Sequence, residues 1–372
     1  MSAPVTGGLS LRQLHVRFGR NDLLRGIDLD VAPGETLVLF GPSGCGKTVL
    51  LRSVAGLEPA ARAQVTIDGV DVSGRGPELR GIGMAFQNFA LYPHMSAREN
   101  IASPLHARKL PAAEIETRVG AVADLLRISH VLGHAPKELS NGQKQRTALA
   151  RALVGRPKLL LLDDPLRNVD AKLRYEMRLE LPRLLRTAGA ATIYVSQDYR
   201  EAMALGDRVA ILLDGVIAQL APPEEIYDRP ASLKVARLFG DPPINLLACR
   251  PVEAGAGVHV SVAGLQIDLR GPRGAAGRDC VLGLRPETIA VHAERQANAA
   301  AAEILAATPL HERLVLLLRA ATGEEIVASV IGAVPPPGSQ VWLTADAGHA
   351  LLFDAATGAR VEAPVALRER AA

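Results

Sequence analysis

The sequence has few aromatic residues and little net charge, and both shortages narrow its possible functions. Phe, Trp and Tyr make up 3% of its 372 residues, so few rings are available on which nucleic-acid bases could stack. Its formal net charge of +3 is too small to indicate a surface that binds a phosphate backbone. We therefore do not expect a nucleic-acid-binding protein.

Long apolar runs and closely spaced cysteines are missing as well. The longest unbroken apolar stretches, such as residues 159–162, fall far short of the roughly 20 residues of a membrane span. Residues 1–8 contain no basic region followed by an apolar segment, so secretion is not indicated and we expect a cytosolic protein. The cysteines Cys45, Cys249 and Cys280 lack metal-ligand spacing, which predicts reduced thiols and no disulfide framework.

The length and the pattern of apolar residues predict two domains, the first of them large. In residues 9–240, short apolar strands alternate with helix-patterned segments, which predicts an α/β sheet domain. Residues 88–155 have helical periodicity and predict a helical subdomain inserted into the sheet core. The predicted strands are residues 36–40, 159–163, 191–195 and 208–213, the last followed by an Asp214-Gly215 hairpin turn and a return strand at 216–218.

The pattern changes at Gly240-Asp241-Pro242-Pro243, where the two prolines indicate a domain boundary. Residues 241–372 contain short alternating strands separated by turn residues, which predicts a small all-β, barrel-like domain without a catalytic constellation. Residues 297–302 are expected to be an Ala-rich connector, and residues 366–372 a loose terminus. The strands are predicted at 258–262, 265–269, 282–284, 314–318, 326–330 and 341–343.

A complete phosphate-binding loop follows the first predicted strand. It consists of Gly41-Pro42-Ser43-Gly44-Cys45-Gly46-Lys47-Thr48, and a helical run follows it. Its glycines allow successive backbone N–H groups and a helix N-terminus to face phosphates, Lys47 can reach the β- and γ-phosphates, and Thr48 can ligate Mg²⁺. A Gly-rich turn without this function would not need the Lys-Thr pair. Cys45 is interpreted as a small residue that fits the loop, with an oxidation-sensitive thiol as the alternative.

Two further segments point to phosphate chemistry. Asp163 ends a buried strand, where it can provide a Mg²⁺ ligand beside the loop, and Asp164 follows it in the position of a general base. Ser140 and Gln143 predict a capping box at the start of a helix. Because a capped helix N-terminus also attracts anions, these residues could bind a phosphate, including one held by another subunit.

Together these motifs resemble the ATPase subunit of an ABC transporter, in detail that of the maltose-type carbohydrate importers. The likeness covers nearly the whole chain. It implies a RecA-like sheet with an inserted helical subdomain, followed by a small OB-like, TOBE-type β domain. The matching segments are the phosphate loop, a signature-like run at residues 139–143, the strand ending in Asp163, and residues 165–173, 86–95, 242–245 and 284–287.

The resemblance implies a head-to-tail dimer in which ATP and Mg²⁺ lie between the loop of one subunit and the signature of the other. Ser140 and Gly142 would contact the partner's γ-phosphate, and Gln87 would sense Mg²⁺ and the attacking water. Phe18 falls where an aromatic ring stacks on adenine, although a lone strand Phe is more often a core residue. The resemblance also implies membrane permease partners, a solute-binding protein acting through them, and a peripheral position on the cytoplasmic face of the membrane.

Three positions depart from the family pattern. Asp164 stands where Glu is usual and is one methylene shorter, so its carboxylate reaches less far towards the attacking water. Gln197 stands where the family has His; its amide can hydrogen-bond a phosphate but cannot supply a proton or a positive charge. Asn141 replaces a signature glycine, a mild change because Asn tolerates unusual backbone angles.

Both larger departures fall in the composite site that contains the chain's own Lys47. We therefore hypothesise that this site binds ATP but hydrolyses it slowly, and that the chain pairs with a second ATPase whose site is intact. The competing interpretation is that Asp164 acts through a water molecule without consequence for the rate. A regulatory subunit with little hydrolysis stays open as an alternative function, whereas the segment 87–95 and the C-terminal domain argue against a DNA-repair or translation ATPase.

Overall fold

The computed structural model describes residues 7–59, 61–310 and 312–361. These residues form two compact units that divide between Glu224 and Glu225. The division comes earlier than the proline-rich segment at residues 240–243. The predicted loose terminus at residues 366–372 lies outside the described residues.

The first unit combines two sheets with six helices, as the alternating pattern predicts. Its strands are β1 (Leu9–Phe18), β2 (Asn21–Val31), β3 (Thr36–Phe40), β4 (Ala61–Ile67), β5 (Val70–Asp71), β6 (Ile82–Ala85), β7 (Leu159–Asp163), β8 (Ala191–Ser196), β9 (Arg208–Leu213) and β10 (Val216–Ala221). Its helices are α1 (Lys47–Ala55), α2 (Ala97–Ala107), α3 (Ala112–Leu125), α4 (Asn141–Leu153), α5 (Ala171–Ala188) and α6 (Tyr199–Leu205), and a seventh, α7 (Pro223–Asp228), spans the division.

A six-stranded sheet forms the centre of this unit, in the order β10-β9-β3-β8-β7-β6. All neighbours from β9 to β6 are parallel, and β10 pairs antiparallel with β9. Every residue of β3, β7 and β8 is buried, as expected for central parallel strands covered on both faces. This burial confirms the prediction that the continuous apolar runs of the sequence form strands.

The remaining predictions for the first unit also hold at the level of secondary structure. Asp214 and Gly215 both have positive φ, at 49° and 78°, which is the backbone of a tight hairpin turn between β9 and β10. The segment 88–155 contains α2, α3 and α4 and no strand. A second sheet, in the order β2-β1-β4-β5, packs its buried aliphatic residues into one core with β3, β7, β8 and α1.

The second unit is all-β apart from its first residues. It contains α8 (Leu233–Leu238) and the strands β11 (Asn245–Cys249), β12 (Val252–Ala254), β13 (Gly257–Val262), β14 (Leu265–Arg270), β15 (Cys280–Leu284), β16 (Ile289–His292), β17 (Ala300–Leu310), β18 (Arg313–Ala320), β19 (Glu325–Ile331), β20 (Gln340–Ala345) and β21 (Leu351–Asp354). The strands form three sheets, ordered β11-β15-β21, β12-β13-β14 and β16-β20-β17-β18-β19, around a common hydrophobic core.

The connector predicted at residues 297–302 is wrong in its second half. Ala300 and Ala302 lie in β17 and are buried in the core, and a Cβ on Gly264 would lie only 3.1 Å from the Cβ of Ala300. Alanine has a low intrinsic preference for strands, but here small side chains fit the space between packed sheets. Tertiary packing therefore decides the conformation of this segment.

Contacts within the second unit explain why it starts before the prolines. Ala236 of α8 packs against Ile244 and Phe353. The guanidinium of Arg285, which is buried, donates to the carbonyl oxygens of Phe239 (2.6 Å) and Tyr227 (2.7 Å) and lies 3.9 Å from the centre of the Tyr227 ring. The residues that follow Glu224 are thereby attached to the β-rich unit.

Two sequence-based expectations about membranes and thiols can be compared with the described residues. No helix among them has both the length and the apolar character needed to cross a bilayer. All three cysteines are free, as predicted. Cys249 and Cys280 face each other in register on β11 and β15, and burial raises the pKa of the Cys249 thiol to about 11.

Candidate active site

The candidate site lies at the carboxyl-terminal ends of four neighbouring parallel strands, β3, β8, β7 and β6. In the sheet register, Phe40 is level with Ser196, and Asp163 is level with Val195. The chain segments that leave these strands therefore converge at one edge of the sheet, which is where open α/β sheets bind ligands. The phosphate loop leaves β3, Asp164 follows β7, Gln197 follows β8, and Gln87 follows β6.

The glycines of the phosphate loop fit positions that a larger residue could not occupy. A Cβ on Gly41 would lie 2.4 Å from the carbonyl oxygen of Leu212, and Gly46 has φ 106° directly before α1. Lys47 begins α1 and is only 5% exposed. Its ammonium donates to the carbonyl oxygens of Gly41 (2.8 Å) and Pro42 (2.7 Å), so the loop itself positions the cation. Burial lowers the pKa of Lys47.

Thr48 and Asp163 form a pair of hard oxygen ligands beside the loop. The Thr48 hydroxyl donates to Asp163 Oδ1 at 3.0 Å. Burial raises the pKa of Asp163, while this hydrogen bond and the charge of Lys47 oppose the rise. A hydroxyl and a carboxylate at this spacing, next to a phosphate site, fit the oxygen ligands that Mg²⁺ prefers. The described residues contain no cluster of three or more His, Cys, Asp or Glu side chains suited to a metal, so phosphate and water oxygens would complete such a site.

Asp164 occupies an unusual backbone conformation. Its φ is 46°, in the left-handed region that Asp tolerates better than most residues, and its N–H donates to the Val195 carbonyl oxygen at 3.1 Å. Its side chain is 10% exposed and lies 3.7 Å from Nη1 of Arg167. Burial raises the pKa of Asp164, and the charge of Arg167 opposes that rise. The strand end therefore fixes the carboxyl group at the cleft.

A buried carboxyl group supports the segment that carries Gln197. Glu201, which is 2% exposed, accepts hydrogen bonds from the hydroxyls of Tyr194 (2.9 Å) and Ser196 (2.8 Å). The Ser196 hydroxyl oxygen in turn accepts from the N–H of Asp198 at 3.0 Å. Residues on both sides of Gln197 are thus connected to one buried group, and burial raises the pKa of Glu201.

Gln87 is held by a neighbour from the segment after Asp164. The side-chain amide of Asn168 donates to the Gln87 carbonyl oxygen at 2.9 Å. Further along the same loop, Arg151 of α4 donates to the carbonyl oxygens of Phe89 (3.0 Å) and Ala90 (2.7 Å), two residues with positive φ. The loop after β6 is therefore fixed by polar contacts with helix α4 and with the segment after β7.

Phe18 is at the end of β1 and is 47% exposed. The interpretation of this residue as part of the core is therefore wrong, because a core phenylalanine would be buried. An exposed ring keeps its face available for stacking. Phe18 does not line the cleft formed by the loop and the strand ends.

The signature-like residues start α4, as the capping box predicts. Ser140 Oγ accepts from the Gln143 N–H at 3.3 Å, and Gln143 Oε1 accepts from the Ser140 N–H at 2.9 Å, which confirms the box. Asn141 is the first helical residue and has no positive φ, so its tolerance of unusual angles is not needed. Ser140 is exposed, and a Cβ on Gly142 would lie 2.5 Å from Cδ2 of the Leu173 side chain.

One cleft of about 220 Å³ brings most of the predicted residues together. Those lining it are Ser43, Gly44, Gly46, Lys47, Thr48, Gln87, Asp163, Asp164 and Gln197. The predicted residues outside its lining are Phe18, Gly41, Cys45, Ser140, Gly142 and Gln143.

Sequence reasoning missed three residues that the geometry adds to the site. Arg167 lines the cleft, Asn168 holds Gln87, and Glu201 supports the segment around Gln197. Arg167 and Asn168 lie in the matching segment at residues 165–173, which could have directed attention to them. Nothing in the sequence alone indicates that Glu201 is buried.

Comparisons with known proteins indicate the same kind of nucleotide-binding protein as this geometry. Residues 24–167 match the ABC transporter family, and residues 282–353 match the TOBE domain. The chain is 42% identical over 359 residues to the sn-glycerol-3-phosphate import ATP-binding protein of Cereibacter sphaeroides, covering 95% of this chain and 99% of the relative.

Two further relatives give the same result. The sn-glycerol-3-phosphate import ATP-binding protein of Escherichia coli is 42% identical over 352 residues, or 92% of this chain and 96% of that protein. The trehalose/maltose import ATP-binding protein of Thermococcus litoralis is 43% identical over 295 residues, or 76% of this chain and 78% of that protein. This chain belongs to the ABC transporter family, as an ATP-binding subunit with ATPase activity and a C-terminal TOBE domain.

Proposed function

We propose that this chain powers a membrane importer of a small solute, a sugar, a sugar alcohol or a glycerol phosphate, by binding and hydrolysing MgATP. The solute class is suggested by the names of the relatives, which import glycerol phosphate or trehalose and maltose. The observation that carries the proposal is the grouping of Lys47, Thr48 and Asp163 around one phosphate-sized cleft.

The dimensions of the cleft support a binding mode in which it holds the phosphates and leaves the base outside. Its volume of about 220 Å³ is below the roughly 300–1,000 Å³ of pockets that enclose a whole ligand. Lys47 and the loop N–H groups bind phosphate oxygens in this mode, and Thr48 and Asp163 hold Mg²⁺, which would neutralise phosphate charge. The adenine then stacks on the exposed ring of Phe18.

The signature residues act on a second subunit. Ser140 is exposed and lies outside the lining of the chain's own cleft. As the start of a 13-residue helix, this end carries N–H groups suited to an anion. In the proposed dimer, Ser140, Gly142 and Gln143 close over the nucleotide of the partner subunit, which is another copy of this chain or a second ATPase.

The segment from Gln87 to Met95 provides the contact with the membrane permeases. It leaves β6 beside the cleft and carries Tyr92 exposed on the surface. A change at Gln87 on nucleotide binding would therefore reach this surface directly. Because the permeases span the membrane, the chain is peripheral on the cytoplasmic face, and a solute-binding protein acts through the permeases.

The chain's own site is proposed to hydrolyse ATP slowly. Asp164 is fixed at the strand end and is one methylene shorter than Glu, and Gln197 offers no proton or positive charge. Losing a well-placed general base or charge donor typically costs about 10²–10⁴ in rate. The same residues support a second candidate function, an ATP-dependent regulatory subunit with little hydrolysis.

Reconstitution tests both candidates. The chain is co-expressed with the permeases and binding protein of its genomic neighbourhood, and the complex is placed in lipid vesicles that contain ATP. An importer subunit gives solute uptake that stops when Lys47→Ala replaces the wild type. A complex in which another ATPase carries all turnover, with uptake unaffected by Lys47→Ala, favours the regulatory subunit. The count of ATPase chains that co-purify separates a homodimer from a heterodimer.

A further inference from the structure

Arg167 contributes a second cation to the nucleotide cleft. It follows Asp164 by three residues, and its N–H donates to the Asp164 carbonyl oxygen at 3.2 Å, so its backbone position is fixed. Its guanidinium Nη1 lies 3.7 Å from Asp164 Oδ2, an ion-pair distance beyond hydrogen-bonding contact. The side chain is 49% exposed and lines the cleft with Lys47 and Gln197. The guanidinium is therefore close to the candidate base and free to turn into the cleft.

The two cations of the cleft have different surroundings. The ammonium of Lys47 is buried and donates to two loop carbonyl oxygens. The guanidinium of Arg167 has five donors, and at half exposure it is available to a ligand. Among the described residues that line the cleft, Lys47 and Arg167 are the cations and Asp163 and Asp164 the anions. Without Arg167, Lys47 would be the only cationic side chain among these lining residues, and Mg²⁺ held by Thr48 and Asp163 would be the other positive charge facing a bound triphosphate.

We propose that Arg167 binds the γ-phosphate of ATP and supplies the positive charge that Gln197 does not. This inference rests on the proposed binding of ATP in this cleft. Guanidinium groups bind phosphate oxygens through two parallel N–H donors, and arginines serve phosphoryl-transfer sites in this way. Asp164 is placed where the water that attacks the γ-phosphate would be activated. Because the Arg167 guanidinium lies 3.7 Å from that carboxylate and lines the same cleft, rotation of its side chain would bring it to a γ-phosphate bound there.

The competing role of Arg167 is to neutralise Asp164 without touching the nucleotide. The two roles differ in their dependence on Asp164. If Arg167 contacts the γ-phosphate, removing its guanidinium weakens ATP binding whether or not Asp164 is charged. A neutralising partner has no effect on nucleotide binding once Asp164 is replaced by Asn. Asn is a suitable replacement because it also tolerates the positive φ of this position.

The test measures binding of MgATP and MgADP to the full chain by isothermal titration calorimetry. Arg167→Gln is compared with Arg167→Lys and with Arg186→Gln, which removes the same charge from an exposed position of α5. Arg167→Gln is expected to weaken MgATP binding about tenfold or more, with less than a twofold change for MgADP. Arg167→Lys keeps part of the ATP affinity, and Arg186→Gln keeps all of it.

The same titrations in the Asp164→Asn background decide between the two roles. Arg167→Gln still weakens MgATP binding there if Arg167 contacts the γ-phosphate. Equal affinities of Asp164→Asn and the double variant overturn the inference, as does an equal loss of MgATP and MgADP affinity in Arg167→Gln. If the folded wild-type chain binds no MgATP at all, the proposed function fails as well. If the wild-type chain binds MgATP and Arg167→Gln binds it equally well, only the proposed role of Arg167 is disproved.

Discussion

The two sides of the nucleotide cleft differ in how closely they follow the family pattern. On the loop side, Lys47 and Thr48 follow a regular phosphate loop, and Thr48 contacts Asp163 at 3.0 Å. On the hydrolysis side, Asp164 stands for Glu and Gln197 for His, and Arg167 adds a second cation. The loop side has the residues that the family pattern leads us to expect for binding, whereas the hydrolysis side has a shorter carboxylate and an amide where that pattern has Glu and His. Binding and hydrolysis are therefore expected to be separable in this chain.

Removing the loop cation should have the largest effect on binding. Lys47→Ala is expected to weaken MgATP binding by at least about a hundredfold, because a buried, charge-assisted contact with the phosphates is lost. Equilibrium titration of the full chain measures this. Lys158→Ala, which removes an exposed lysine from the same unit, is the control and should bind normally. Tight binding by a folded Lys47→Ala variant would show that the loop side does not hold the phosphates.

Stacking on Phe18 should contribute less than the phosphate contacts. Base stacking on an aromatic side chain is worth about 1–3 kcal/mol, so Phe18→Ala should weaken ATP binding by roughly tenfold. Phe18→Trp keeps a ring and should restore the affinity. Because Phe18 is half exposed, the thermal midpoint should change little in either variant. An unchanged affinity in Phe18→Ala would place the adenine elsewhere.

Glu201 supports the segment that carries Gln197 on the hydrolysis side. Its substitution should have the smallest effect of the three, a change in the free energy of unfolding that depends on pH. Burial raises the pKa of Glu201 above its ordinary value, so the fold favours the protonated carboxyl group. The protonated Glu201 carboxyl group therefore contributes fully to the free energy of unfolding below the ordinary glutamate pKa. This contribution is lost as the pH rises through the raised pKa. Glu201→Gln mimics the protonated form.

The free-energy cost of Glu201→Gln should accordingly shrink as the pH rises from below the ordinary glutamate pKa through the raised pKa of Glu201. Chemical denaturation followed by circular dichroism measures this difference at each pH. Glu176→Gln, at an exposed position of α5, is the control and should show no such trend. A cost that grows with pH would mean that the fold favours the ionised carboxylate.

The loop side could be read from the sequence, because its motif is contiguous. Residues 41–48 and the strand ending in Asp163 are local patterns, and β3, β7 and β9 begin and end where predicted. The capping box at Ser140 is equally local and is confirmed. Spacing along the chain determines all of these features, so no tertiary contact is needed to predict them.

The hydrolysis side depends on tertiary contacts that cannot be inferred from the spacing of residues in the sequence. The ion pair of Arg167 with Asp164 forms where the backbone turns at Asp164, which has positive φ, and the hydrogen bond of Glu201 with Ser196 joins helix α6 to β8. The same reason explains the error at Ala300, whose strand conformation comes from packing between sheets. Tertiary contacts of this kind appear only once the fold is known.

The most direct test of the separation between binding and hydrolysis combines two readouts on one sample. MgATP affinity and the single-turnover hydrolysis rate are measured for the wild-type chain and for the Asp164→Glu/Gln197→His double variant, in the purified transporter. We predict affinities within about threefold of each other and hydrolysis at least tens of times faster in the double variant, following the effect of a general base. Equal, fast hydrolysis by both proteins, in a transporter that contains no second kind of ATPase chain, would contradict the account and make Asp164 an adequate base.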